Sequence, residues 1–200
     1  PQAGLSRRRE GVGSGSLSGM DFARLLRFAS RWLLAPRCLV CSEAGVDGLD
    51  LCRWCRAELP WNDPACARCA LPLVAGADCQ RCQAEPPPFT LAHAAFRYEF
   101  PVDRLLPRFK FHADLAAGAL LATLLQWSLD PGQWPQALLP VPLHRSRLRR
   151  RGYDQALELG KALARETKLP LLATRLRRVR RTQAQTELGA SARRRNVAGA

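Results

Sequence analysis

The sequence predicts an α/β domain built on a largely parallel sheet and preceded by a small module organised around cysteines. Three observations predict it. All eight cysteines of the 200-residue chain fall between Cys38 and Cys82. Beyond residue 90, short apolar runs alternate with apolar or amphipathic stretches of helical length, the pattern of βαβ units. Charge is divided as well. Residues 141–200 hold 16 of the 31 Lys and Arg against four acids (Asp154, Glu158, Glu166 and Glu187), a net of +12 that leaves +2 for the first 140 residues. Such an asymmetry points to a polyanionic partner, against the plainer reading of a solubilising surface. With 47% apolar residues, the chain can bury a core and is not wholly disordered.

The elements follow in order. Residues 1–19, PQAGLSRRREGVGSGSLSG, are rich in Gly and Ser and lack apolar periodicity. Met20 is the only methionine. It is taken as the natural start, with 1–19 as a disordered tail or upstream read-through. The segment has no apolar h-region and is no signal peptide. Residues 20–36 read as an amphipathic helix. Phe22, Leu25, Leu26, Ala29 and Leu33 share one face, Arg24, Arg27 and Arg31 lie elsewhere, and Pro36 stops it.

Residues 37–84 contain four Cys-x-x-Cys pairs: Cys38/Cys41, Cys52/Cys55, Cys66/Cys69 and Cys79/Cys82, separated by ten, ten and nine residues. Such a turn aims two thiolates at one point, and two turns supply the four soft ligands of tetrahedral zinc. Four turns make two sites. The simplest assignment is sequential, with Cys38, Cys41, Cys52 and Cys55 on one ion and Cys66, Cys69, Cys79 and Cys82 on the other; a cross-braced arrangement, pairing the first turn with the third, stays open. Disulfides fit poorly in a chain with no mark of secretion. Iron–sulfur clusters favour tighter or less regular spacing, and a redox Cys-x-x-Cys occurs singly. The region has few apolar residues of its own, so metal binding, worth about 10–16 kcal/mol per site, is expected to drive its folding. Closed four-thiolate sites leave no coordination position for catalysis.

Residues 85–90, beginning EPPPF, form a stiff linker. In 91–200, AHAAFRYEF reads as a strand, Val102–Phe111 and Ala113–Leu129 as helices, and QALLPVPL (136–143) as a strand running into a loop. Asp154–Thr167 reads as a helix with Asp154 at its N-cap, and LPLLA begins another strand. The run 113–129 is broken by Asp114, Thr123 and Gln126 and is shorter than the roughly 20 residues of a membrane span. A buried core helix and a cytoplasmic protein are expected.

FRYEFPVDRLLPRFKF, LLPVPLHRSRLRRRGYDQA and RRVRRTQAQTELGASARRRNVAGA, following the cysteine block, resemble the ComF family of bacterial competence proteins over about 20–200. The motifs stand in the family's order: Phe109-Lys110-Phe111, Pro140-Val141-Pro142-Leu143, Arg151-Gly152-Tyr153-Asp154-Gln155, then Thr182, Gln185, Leu188, Arg193 and Asn196. The family usually has Asn at the position of Asp154. The resemblance implies a double zinc ribbon on a type I phosphoribosyltransferase-like domain, an association with uptake of transforming DNA, and competence helicase or recombination proteins as partners. It also exposes a missing segment. An acidic pair and a Thr/Gly-rich turn, which in that fold hold the ribose hydroxyls and the 5′-phosphate, are not found in these 200 residues. The sheet is therefore expected to be incomplete at the C-terminus, with no catalytic residues assigned. Magnesium is implied only for an active full-length phosphoribosyltransferase.

After LLPVPL, His144, Arg145, Arg147, Arg149, Arg150 and Arg151 form a segment dense in cations, expected as a loop at a strand's carboxyl end. It suits a diphosphate or a nucleic-acid backbone, and the resemblance implies the diphosphate side; the plainer reading is a solvated charged loop. Arg175–Arg181 and Arg193–Arg195 resemble the family's flexible loop, or else grip DNA phosphates. Lys110 is either a phosphate ligand or a helix-surface lysine. Tyr153 either stacks on a base or packs in the core. His93 and His112 are read as strand and helix-end residues. Three functions are consistent with this: a DNA-uptake protein binding single-stranded DNA or phosphoribosyl ligands, a phosphoribosyltransferase of nucleotide salvage when full length, and a stand-alone nucleic-acid-binding zinc-ribbon protein.

Overall fold

A computed structural model describes residues 35–75, 78–130, 132, 135–183 and 188–200. The tail at 1–19 and nearly all of the helix expected at 20–36 lie outside the described residues.

The cysteine region is built as one unit used twice. In the first copy the Cys38 N–H donates to Glu43 O at 2.8 Å and the Ser42 N–H to Cys38 O at 2.9 Å, and Arg37 bridges antiparallel to Ala44. In the second, the Cys66 N–H donates to Leu71 O and the Ala70 N–H to Cys66 O, both at 2.8 Å, and Ala65 bridges to Pro72. The residue after the second cysteine takes a left-handed backbone in both copies, Ser42 at φ 65° and Ala70 at φ 59°. Each knuckle is followed by a short helix whose N-cap is the third cysteine: α1 (Arg53–Ala57) after Cys52 and α2 (Gln80–Ala84) after Cys79.

Two longer helices follow. In α3 (Val102–Phe111), Val102, Leu105 and Phe109 are buried at i, i+3 and i+7, one face of a 3.6-residue period. Asp114 caps α4 (Leu115–Trp127), its carboxylate accepting from the Ala117 N–H at 3.0 Å. The two helices pack closely where Gly118 meets the Phe109 ring; a Cβ at Gly118 would lie 2.4 Å from that ring. Helix α4 also packs against α6 (Gln155–Thr167), which explains why it is apolar almost all round. No helix among the described residues is long and apolar enough to cross a membrane.

The largely parallel sheet expected from the sequence is reduced, among the described residues, to one parallel bridge between Leu138 and Leu171. Leu138 N–H donates to Pro170 O and Leu172 N–H to Leu138 O, both at 2.8 Å. The prolines give the physical reason. Pro135, Pro140, Pro142 and Pro170 carry no N–H, so a ladder cannot extend through these runs. The strand expected at AHAAFRYEF is likewise reduced to one bridge, antiparallel, between Phe96 and Trp61 in the segment joining the two cysteine units; their ring centroids are 4.6 Å apart.

The segment expected as a cation-rich loop is instead a helix, α5 (Arg145–Arg151). His144 caps it through Nδ1, and Gly152 ends it at φ 81°, a left-handed position that glycine adopts without strain. Arg193–Arg195, also expected in a flexible loop, lie in α7 (Ala190–Val197).

One core serves the first cysteine unit and the helices together. Cys38, Leu51, Cys52, Cys55 and Leu59 share a buried cluster with Val102, Leu105, Phe109, Ala117, Leu120, Leu121 and Leu124. Arg108 reinforces the joint: it pairs with Asp114 at 2.7 Å and donates to Leu39 O in the first knuckle. The second unit keeps a separate cluster of Cys66, Cys79 and Cys82 with Cys69 and Leu73 against it. Pro36–Ala200 nevertheless form one compact unit.

Candidate metal centres and basic site

The eight cysteines form two groups, Cys38/Cys41/Cys52/Cys55 and Cys66/Cys69/Cys79/Cys82, with the sulfurs of each group all within 4.8 Å of one another. The pairing is sequential, not cross-braced, and all eight cysteines are free of disulfides. The Cys41 and Cys52 sulfurs lie 3.5 Å apart, Cys41 and Cys55 3.7 Å, and Cys69 and Cys79 3.7 Å. A tetrahedron with Zn–S bonds of about 2.3 Å has sulfur–sulfur edges of about 3.8 Å, so the donors present fit a tetrahedral ion.

Electrostatics give the same answer. Burial alone would raise the Cys38 thiol, but backbone N–H groups of Cys52, Cys41 and Val40 outweigh it and hold the thiol down at about 6. At Cys66, the Cys69 and Cys79 amides do the same, again to about 6. The Cys55 thiol is pushed up by burial and by neighbouring sulfurs, and Cys82 rises to about 12 for the same reasons. Each group thus pairs a thiol whose ionisation is favoured with one whose ionisation is disfavoured beside it. A zinc ion held by the four sulfurs would supply the positive charge that lets all of them ionise together. Both sites are compatible with structural zinc.

Most of the basic residues named from the sequence fall into three sets. His144 at the N-cap of α5 and Ser146, Arg147 and Arg150 within it line a cavity of about 440 Å³ with Arg181, Thr182 and Gln183. Arg147 donates to Thr182 O at 3.1 Å. Arg145 faces a second hollow of about 370 Å³, shared with Arg177 and Arg178. Lys110 and Arg151 each lie over the Phe111 ring, 5.3 and 5.5 Å from its centroid. Arg149 lines neither cavity. Arg193 donates to Leu188 O at 2.8 Å, at the start of α7.

A family model, the double zinc ribbon domain, matches residues 29–83. The chain is 31% identical over 172 residues to competence protein F of Haemophilus influenzae, a match spanning 82% of this chain and 75% of that protein. This chain belongs to the ComF family. It is also similar to the DNA utilization protein YhgH of Salmonella typhimurium, 32% identical over 158 residues, and to that of Escherichia coli O157:H7, 29% over 157; each match covers 75% of this chain and 69% of the relative. No solved structure matches.

Several ComF motif residues have structural work in this fold. Asp154, where the family pattern has Asn, uses both carboxylate oxygens: Oδ2 accepts from the Leu143 N–H at 2.8 Å, while Oδ1 accepts from the Ala156 and Leu157 N–H groups. The residue therefore caps α6 and ties down the end of the 136–143 run. Asn196 brackets Gln183, accepting from its N–H at 3.2 Å and donating to its carbonyl at 3.0 Å. Tyr153 packs against the main core, 5.8 Å from the Phe109 ring, with its hydroxyl buried and without a partner. Of its two expected roles, the structure shows the packing one. His93 bonds to Ser128 Oγ at 2.8 Å and His112 caps α3. Arg181 was not singled out from the sequence as an individual site residue. Only its place in a run of arginines pointed to it.

Proposed function

We propose that this ComF-family chain handles DNA during uptake and natural transformation, with the zinc ribbons as structure and the basic C-terminal residues as the surface for single-stranded DNA. The observation that carries this reading is the cavity of about 440 Å³ that gathers His144, Arg147, Arg150 and Arg181. Phosphates satisfy guanidinium forks bidentately, and the surplus of sixteen cations over four acids in 141–200 draws a polyanion to that side of the sequence. The names of the relatives support the same reading. A cytoplasmic location and competence helicase or recombination partners belong to this proposal.

The test is the salt dependence of binding to single-stranded DNA. Each phosphate neutralised contributes roughly −0.7 to the log–log slope. Changing Arg149, Arg150 and Arg151 together to Ala should flatten the slope by about two units if all three touch phosphates, and by less if Arg149, which lines neither hollow, does not. An unchanged slope would remove α5 from the interface, and no binding by the zinc-loaded wild-type chain would refute the reading.

A second reading rests on the parallel bridge between Leu138 and Leu171, which leads into His144 and α5. We propose that this is part of a phosphoribosyltransferase-like sheet, with the cavity as its diphosphate side. The 200 residues carry no acidic pair followed by a Thr/Gly-rich turn, so they should release no diphosphate from phosphoribosyl diphosphate with magnesium and a panel of bases. Release abolished by Arg150→Ala would show a complete site.

A further inference from the structure

Phe111 ends α3 with 57% of its surface exposed. A phenylalanine left in water forgoes the stabilisation that burial would give it. The residue is nonetheless held in place, because Gln155 of α6 donates to the neighbouring Lys110 carbonyl at 3.1 Å. Two cations from different helices lie over the ring, Lys110 Nζ at 5.3 Å and Arg151 Cζ at 5.5 Å. Neither pairs with a carboxylate among the described residues. The other exposed aromatics under cations differ. Trp54 has only the adjacent Arg53, and the Arg56 above Trp127 is already neutralised by Asp47 at 2.7 Å.

We propose that Phe111, Lys110 and Arg151 form a stacking site for one unpaired base of a single strand, the base taking the place of a cation over the ring and the two cations turning to the flanking phosphates. The site rests on the nucleic-acid reading above and sharpens it. Phosphate contacts alone do not distinguish a single strand from other polyanions. A stacking ring does, because only an unpaired base offers its face. The site also shares α5 with the basic cavity, so a strand gripped by Arg147 and Arg150 passes beside Phe111 by way of Arg151.

The experiment compares two labelled oligomers of equal length and phosphate number, oligo-dT and a strand of abasic residues, binding to the zinc-loaded full chain. Phe111→Leu, which keeps apolar bulk, should weaken oligo-dT about tenfold and leave the abasic strand and the salt slope unchanged. Phe111→Trp should retain oligo-dT binding. If Phe111→Leu weakens both strands alike, or neither, the stacking site is refuted. If the wild type binds both strands equally while the triple Arg149, Arg150 and Arg151 variant loses both, the nucleic-acid reading stands and the stacking site falls. If the wild type binds neither strand, both fall together.

Discussion

Asp114 joins three parts of the molecule through one carboxylate. It caps α4, pairs with Arg108, and through Arg108 reaches the first cysteine knuckle. Replacing it with Ala should cost about 1 kcal/mol at neutral pH, the usual worth of a side-chain cap. Burial alone would raise its carboxyl, but the Ala117 N–H and the Arg108 guanidinium outweigh that and hold it below the ordinary value. A depressed carboxyl stabilises the fold above its unfolded value and loses that effect as pH falls through the folded one. Paired urea melts should therefore show the gap between wild type and Asp114→Ala closing below about pH 4. A gap that persists into acid would show that the carboxylate is not what matters there. Gly118 makes a second test at this scale. Alanine favours helices, yet here its Cβ would lie 2.4 Å from the Phe109 ring. Gly118→Ala should lower stability by about 1–3 kcal/mol, as overpacking does, and an increase would mean that α3 and α4 can separate.

Among the elements, the two ribbons are alike in construction and unlike in attachment. The first donates Cys38, Cys52 and Cys55 to the core that holds α3 and α4, while the second keeps its own small cluster. Purified protein should carry two zinc ions per chain by elemental analysis, and a stoichiometry near one would leave one group without its metal. Cys52→Ser should both open residues 38–60 to limited proteolysis and lower the melting temperature of the helical signal. Cys79→Ser should open only the second ribbon. Equal thermal shifts in the two variants would contradict the shared core. Helices α3 and α6 were legible because their apolar residues repeat with helical period and Asp154 marks a start. Helix α5 was not, since RSRLRRR has one apolar residue and no periodicity; Gly152 and the helix propensity of arginine were the available signals. The runs 136–143 and 169–173 were apolar enough to read as strands, but periodicity takes no account of the donors that proline removes.

Over the whole molecule, the presence of two four-cysteine metal sites could be read from spacing alone, because a Cys-x-x-Cys turn fixes its own sulfur geometry. What spacing could not give was the ligation order or the burial of one ribbon among the helices, since these depend on contacts between residues far apart in the chain, such as Arg108 with Leu39. The basic site was legible as charge but not as shape: its arginines divide among two hollows and an aromatic ring. That division makes a prediction for the intact chain. Arg150→Ala should reduce binding of a single strand and of inorganic diphosphate together, whereas Phe111→Leu should leave diphosphate untouched. Isothermal titration with each would separate the two, and loss of diphosphate binding on Phe111→Leu would merge them.

The unequal attachment of the ribbons has a kinetic consequence. To release the first ion, sulfurs must leave a core that also holds two helices, so its exit is tied to opening of much of the unit. Release of the second needs only a local opening, which proteins undergo far more often. In an isotope chase, one ion per chain should therefore exchange quickly and the other slowly, giving two lifetimes from two sites with the same four ligands.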